Sequence, residues 1–355
     1  MTQAENNKIR IGIVGAGGNT KLMHIPKLQE IEGVEIVSVC NRSRESSEKV
    51  ASEFGIPTVY DNWWDLIAAD DTDAVVIGTW PYMHCRMTLA ALAANKHVMC
   101  EARMAMNVTE AVTMRNAARE NPHLVTQIVP GPMTFGVDQT IQRMIAEEYI
   151  GDLLAIELRV NGNRFLDAEA PLQWRHDIDR SGVNIMLLGI WYESLRRWVG
   201  DAKSLMAMGK TFVPMRMNPE TGNMQAVHIP EHINIIADMA CGAQASISMS
   251  SVGGFSGPSE IYLYGSEGTL RLVGDKLYGG QVGDEGLHEI EIRSEEVGGW
   301  RVEEEFIGAI RGEEVIEYTN FEEGIKYMVF TEAVHESMAS GCAVNLEALA
   351  RSRGA

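Results

Sequence analysis

The chain has 355 residues, 45% hydrophobic and 22% charged, an ordinary globular composition with length enough for two domains. Thirty Lys and Arg stand against 49 Asp and Glu, a formal net charge of −19 that disfavours nucleic acid and anionic membrane surfaces as partners. No run of about 18 apolar residues occurs, and the polar start Met1 to Lys8 lacks a signal-peptide core, so a cytoplasmic protein with no membrane partner is expected. Cys40, Cys85, Cys100, Cys241 and Cys342 form neither a CxxC pair nor a zinc pattern, which suggests free thiols and no metal site.

In chain order, Ile9 to Val14 is an apolar run ending in glycines and reads as a buried parallel strand. A helical stretch to about Glu30 follows, then a strand over Val34 to Cys40, a helix over Ser43 to Phe54 and a short strand from Thr58. Trp63 to Ala69 is helical, Ala74 to Ile77 a strand, Met87 to Ala94 a helix, His97 to Cys100 a strand and Val108 to Glu120 a helix. This alternation predicts βαβ units and a doubly wound parallel sheet.

After Leu124 to Ile128 the pattern changes. Helices are expected over Val137 to Ala146 and Val183 to Trp198. Strands follow without crossover helices over Leu154 to Val160, Ile233 to Met239, Gln244 to Met249, Glu260 to Tyr264 and Thr269 to Leu272. The tail is helical over Glu303 to Ile310 and Phe321 to Ser340. The fold class is therefore α/β: a Rossmann domain over 1–128, then an α+β domain over 129–355 with a large, mostly antiparallel sheet. Pro130-Gly131-Pro132 is the expected hinge.

Gly15-Ala16-Gly17-Gly18-Asn19-Thr20 follows the first strand. Gly15 permits a tight turn, and Gly17 lets backbone approach a pyrophosphate held at the next helix N-terminus. Thr20 stands where a third glycine or alanine is usual, so helix and strand should sit slightly further apart. The second strand ends in Cys40-Asn41-Arg42-Ser43 with no carboxylate to grip a ribose diol. Arg42, with Asn41 and Ser43, suits a 2′-phosphate, so NADP is favoured over NAD. In the alternative, Asn41 takes the diol and Arg42 stacks on adenine.

Four landmarks now join that turn: Thr79-Trp80-Pro81-Tyr82-Met83-His84, the strand end at Glu101, Trp174-Arg175 with Ser181-Gly182, and Gly265-Ser266-Glu267-Gly268-Thr269-Leu270. Together they resemble the glucose–fructose oxidoreductase/inositol dehydrogenase/rhizopine-catabolism (Gfo/Idh/MocA) family across essentially the whole chain. The resemblance implies NAD(P)-linked oxidation or reduction of sugars and cyclitols, and a C-terminal sheet that assembles a homodimer or homotetramer. It also implies cofactor contacts from Gly15, Gly17, Gly18, Asn19, Thr79, Trp80, His84, Glu101, Trp174 and Arg175, with Tyr82 near the nicotinamide ribose as a substrate-binding residue.

The chain departs from the family where protons are handled. The usual Glu-Lys-Pro reads Glu101-Ala102-Arg103, and the usual Asp and His positions ahead of Arg197-Trp198 are Leu187 and Trp191. Hydride transfer to or from an alcohol still requires a proton partner. His176 is the candidate shuttle, Asn184 a candidate orienting or oxyanion group on the face shared with Trp191, and Arg103 a candidate clamp for a substrate anion. Trp191, with Trp80, suits stacking against a sugar or aromatic ring. Glu193 points away and reads as structural. The methionines Met104, Met106, Met206, Met208, Met215 and Met217 read as core or interface filler.

Three readings remain open on the sequence. The first is an NAD(P)-dependent oxidoreductase acting on a sugar, polyol, sugar acid or cyclic diol. The others are a redox-neutral glycosidase or lyase that retains NAD, and a cofactor-binding regulator without turnover.

Overall fold

The computed structural model describes residues 8–355. The chain divides into two compact units, one of residues 1–130 with 301–325, the other of 131–300 with 326–355.

The first unit is built on a six-stranded sheet. Its strands are β1 (Ile9–Val14), β2 (Val34–Cys40), β3 (Thr58–Val59), β4 (Ala74–Ile77), β5 (His97–Cys100) and β6 (Thr126–Ile128). They run parallel in the order β3-β2-β1-β4-β5-β6, the doubly wound arrangement whose switch point lies between β1 and β4. All four residues of β4 are buried, as a strand covered by helices on both faces requires.

A π-helical turn, Thr20–His24, runs into α1 (Ile25–Glu30); then follow α2 (Arg44–Phe54), α3 (Trp63–Ala68), α4 (Pro81–Ala93) and α5 (Val108–Glu120). Side chains of Ser43, Asn62 and Asn107 accept the N–H three residues on and cap α2, α3 and α5. Helix α4 starts at Pro81, six residues before the expected Met87, because proline at the first helical position has its φ preset and loses no hydrogen bond there. The segment Trp80 to His84 is thus a helix start at the end of β4.

A two-part division at 128/129 leaves out the return of residues 301–325 to the first unit. Ile128 donates to the Thr319 carbonyl at 2.8 Å, and the Gln127 amide donates to Glu305 at 2.6 Å. These bonds cover the outer strand β6, whose edge would otherwise be unpaired.

In the second unit, α6 (Asp138–Ala146), α7 (Ile178–Ser181) and α8 (Leu188–Val199) accompany a nine-stranded sheet. Strands β7 (Leu153–Asn161), β8 (Ala202–Lys210), β9 (Met215–Met217) and β10 (Met224–Ala226) come first, β9 and β10 forming a separate ribbon. Then follow β11 (His232–Met239), β12 (Gln244–Ser250), β13 (Glu260–Gly265), β14 (Gly268–Val273), β15 (Lys276–Gln281), β16 (His288–Glu289) and β17 (Val344–Asn345). The order is β16-β15-β14-β13-β7-β12-β11-β8-β17; only β7 and β12 pair in parallel. The tail adds α9 (Val302–Arg311), α10 (Phe321–Ser340) and α11 (Leu346–Arg353). Tyr192 on α8 stacks on Phe330 of α10 at 3.6 Å, and Ser337 of α10 accepts from Ala207 of β8, so these helices cover one sheet face.

Strand β8 is absent from the sequence reading. Its Ala202, Leu205 and Ala207 are buried, whereas Met206 and Met208 are exposed. Of the methionines expected as filler, Met104 is fully buried, but Met206, Met208, Met215 and Met217 stand at the surface and are not core.

Candidate functional site

The dinucleotide loop is fixed by four local features. Gly15 adopts φ +84°, and a Cβ there would lie 2.8 Å from the Thr79 nitrogen, so only glycine fits. A Cβ on Gly17 would meet nothing closer than the Gly78 carbonyl at 3.6 Å, and one on Gly18 nothing within 4 Å. Their glycines therefore leave open space over the loop, the space a pyrophosphate needs at a helix N-terminus. The residues present fit such a group. Thr20, at the usual third-glycine position, is buried; the glycine it needs is Gly78 across the gap, where a Cβ would overlap the Thr20 hydroxyl. Close packing is kept by moving the missing Cβ to the opposite strand.

Asn41 accepts from the Ala16 N–H at 2.7 Å and donates to the Ser46 hydroxyl at 3.0 Å. It braces the loop from β2, and Ser43 caps α2. Arg42 is exposed with its guanidinium 5.8 Å from the Trp80 ring centroid, a cation over an aromatic face at the open ends of β2 and β4. Tyr82 is 42% exposed in the first turn of α4, and Thr79 is half-buried just before it.

His24, unremarked in the sequence reading, is fully buried in the π turn. Its Nδ1 lies 2.5 Å from Glu303 and its Nε2 3.1 Å from Glu101, which also accepts from Asn19 at 2.6 Å. Burial alone would lower the His24 pKa, but the two carboxylates outweigh it and push it up to about 9. Burial likewise acts to raise Glu101, and the His24 contact holds it below the usual carboxylate range. A charged imidazole thus ties the loop helix to the end of β5 and to α9. π turns of this kind are frequent at functional sites.

His84 departs from the expected direct cofactor contact. It is fully buried, with Nδ1 2.9 Å from the Arg103 carbonyl and Nε2 3.0 Å from the Thr79 carbonyl. Burial pushes its pKa down, so a neutral ring braces the ends of β4 and β5. Arg103 is itself only 2% exposed.

In the second unit, a cavity of about 820 Å³ opens at the ends of β7 and β12. Arg175 and His176 line it, whereas Trp174, Asn184 and Trp191 are not among its walls. Arg175 stacks on Trp174 at 4.2 Å. The Gln173 N–H points at His176 Nδ1 over 3.4 Å, which places the ring hydrogen on Nε2. Burial, with Arg216 and Arg175 nearby, lowers the His176 pKa and keeps the ring neutral.

The shared helical face of Asn184 and Trp191 is not formed. Helix α8 begins at Leu188, and Asn184 lies in a loop between Gly182 at φ +65° and Met186 at φ +43°, both incompatible with a continuous helix. Asn184 is buried and donates to the Ser181 carbonyl at 2.6 Å. Trp191 is half-buried. Glu193 accepts from the Gly131 N–H at 2.8 Å and pairs with Arg197 at 2.7 Å, in keeping with its structural reading. Glu193→Ala should cost about 3–5 kcal/mol, because it removes one counterion of a buried arginine; urea unfolding measures it.

Sequence reasoning missed Arg216 and Glu231, a buried pair at 2.7 Å in the cavity wall. The available signal was a charged residue between Met215 and Met217 in a short ribbon, and reading those methionines as filler hid it.

Residues 9–128 match the model of an oxidoreductase family with an NAD-binding Rossmann fold, and residues 139–271 match the GFO/IDH/MocA C-terminal domain. The chain belongs to the Gfo/Idh/MocA oxidoreductases. An uncharacterized oxidoreductase of Synechocystis sp. is 24% identical over 287 residues, covering 78% of this chain and 74% of that protein. Glucose-6-phosphate 3-dehydrogenase of Bacillus subtilis is 27% identical over 168 residues, 47% of this chain and 46% of the relative. Among solved structures, levoglucosan dehydrogenase in complex with NADH and L-sorbose superimposes with a TM-score of 0.81 at 20% identity, covering 96% of this chain and 99% of that one. At that identity the likeness speaks for the fold. No helix among the described residues is long and apolar enough to cross a membrane, and no group of three or more His, Cys, Asp or Glu is arranged to hold a metal.

Proposed function

We propose that this Gfo/Idh/MocA chain is an NADP(H)-preferring oxidoreductase acting on a small polyhydroxylated substrate. The observation that carries the reading is the dinucleotide loop: Gly15 is obligatory, Gly17 and Gly18 are open, and Asn41 and Glu101 brace the loop from neighbouring strand ends. A bound nicotinamide supplies or accepts hydride. Gly15, Gly17, Gly18 and Asn19 would hold the pyrophosphate, with Arg42 and Ser43 toward the 2′-position and Thr79, Trp80 and Glu101 as further contacts. The levoglucosan dehydrogenase complex with NADH and L-sorbose supports a nicotinamide cofactor and a sugar-like substrate by analogy, and says nothing for the phosphorylated form.

Preference for the phosphorylated cofactor rests on Arg42, exposed at the end of a strand that closes without a carboxylate. Arg42→Ala is expected to weaken NADPH binding at least tenfold while changing NADH binding less than threefold, as read by ligand-fluorescence titration. His176, in the cavity wall of the second unit with its hydrogen on Nε2, donates to a substrate oxygen. A second reading, binding without turnover, is favoured by Ala102, Leu187 and Trp191 at the usual proton-handling positions. Cofactor binding combined with neither absorbance change nor substrate consumption across sugars, glycosides, polyols and sugar acids would support it.

The sheet face opposite the helices carries exposed Met206, Met208 and Ile236 on adjacent strands β8 and β11. This apolar stripe supports assembly with further copies of the chain.

A further inference from the structure

The cavity of the second unit is richer in donors than a neutral sugar needs. Its charged lining comprises three arginines, Arg164, Arg175 and Arg216, and two carboxylates, Asp167 and Glu231. Both carboxylates are engaged by the protein itself. Glu231 pairs through one oxygen with Arg216 at 2.7 Å and accepts through the other from the Phe212 and Val213 N–H groups at 2.8 and 3.1 Å. Asp167 accepts from the N–H groups of Glu169 and Ala170 at 3.0 and 3.1 Å.

The donors are not equally spent. Arg216 is 4% exposed; one terminal nitrogen donates to the Asp167 and Ala170 carbonyls at 2.9 Å each and the other to Glu231, while its buried Nε has no hydrogen-bond partner. A buried N–H left unmade is costly, and this one belongs to a side chain of the cavity wall. Arg164 is exposed in the same wall and has no ion pair among the described residues. His176 adds its Nε2 hydrogen. This cluster stands out in a chain of net charge −19.

We propose that the cavity binds a substrate carrying a carboxylate, a sugar acid of the uronate or aldonate type, anchored by Arg216 and Arg164. The proposal rests on the oxidoreductase reading only for calling this ligand a substrate. A carboxylate matches the charge of Arg164 at the cavity wall and the Nε2 hydrogen of His176, with the Arg216 guanidinium behind them. Asn161, Gln173 and Ser250 in the lining suit the hydroxyls. A phosphate dianion fits less well, because Glu231, held ionised beside Arg216, already sets a buried negative charge behind the anchor.

Calorimetric titration of the full chain with D-glucuronate, D-gluconate, D-glucose, D-glucitol and D-glucose 6-phosphate tests this, with NADPH affinity measured separately. At least one sugar acid should bind tenfold or more tighter than its neutral counterpart. Arg164→Gln should remove that advantage while leaving D-glucose and NADPH affinities within twofold. Arg216→Gln should do the same; because it breaks a buried pair and can unfold the chain, the exposed Arg164 decides the matter. Equal affinity for acid and neutral sugars, preference for the phosphate ester, indifference to Arg164→Gln, or no binding of any probe overturns the proposal. Arg164-dependent binding of a sugar acid without NADPH binding would uphold it and remove the oxidoreductase reading; NADPH binding with no acid preference does the reverse.

Discussion

Replacing His24 with alanine is expected to lower the free energy of unfolding by about 3–5 kcal/mol and to weaken NADPH binding at least tenfold. The substitution leaves Glu101 and Glu303 facing each other without the cation between them, and one uncompensated buried charge costs about that much. The cofactor effect is separable from the fold, because Glu101 also holds Asn19 at the N-terminal end of the loop helix. Glu303→Gln keeps the shape and should retain more stability than His24→Ala.

The pH dependence carries a defined sign. The folded pKa of His24, about 9, lies above the ordinary 6.5. Its contribution is therefore full below pH 6.5 and is lost as pH rises through 9, a loss of about 3 kcal/mol for a shift of this size. Glu101, with its pKa lowered, adds a contribution present above the ordinary carboxylate pKa and lost in acid. Urea unfolding between pH 6 and 10 should show the alkaline decline in the unaltered chain and a flatter profile in His24→Gln.

The second large effect separates two glycines two positions apart. Gly15→Val should reduce both folding and cofactor binding, since φ +84° disfavours any Cβ and the Thr79 and Gly78 backbone lies within 2.9 Å of it. The expected cost is about 2–4 kcal/mol. Gly17→Val meets only ordinary contact, at 3.6 Å, and should change stability by less than about 0.5 kcal/mol while reducing NADPH affinity a hundredfold or more. Thermal melting and cofactor titration on both variants provide the comparison. Equal loss of stability in the two would remove the pyrophosphate role of Gly17.

The first unit was legible because buried parallel strands are short apolar runs and the loop chemistry is local: β1, β2, β4 and β5 fall where their apolar runs do. What escaped depends on contacts distant in sequence. Thr20 reads as a defect in the glycine pattern until Gly78 is found opposite it, 58 positions away. His24 shows no signal because its partners come from β5 and α9. The return of 301–325 reads as tail helix alone, since nothing local marks Glu305 as the partner of Gln127. Asn184 falls outside the helix for a local reason: apolar periodicity continues back through Ile185 and Leu187, but Gly182 and Met186 take backbone angles that make Leu188 the first helical residue. In β8, glycine, lysine and surface methionines conceal an alternation that the buried Ala202, Leu205 and Ala207 make plain.

The central claim, a Rossmann loop that binds a phosphorylated dinucleotide in preference to its unphosphorylated counterpart, is tested most directly by titrating the full chain with NADPH and NADH and following nicotinamide fluorescence. Saturable binding of both, at least tenfold tighter for NADPH and reduced to near parity by Arg42→Ala, is the predicted result. Failure of either nucleotide to bind, or an NADH preference untouched by Arg42→Ala, would contradict it.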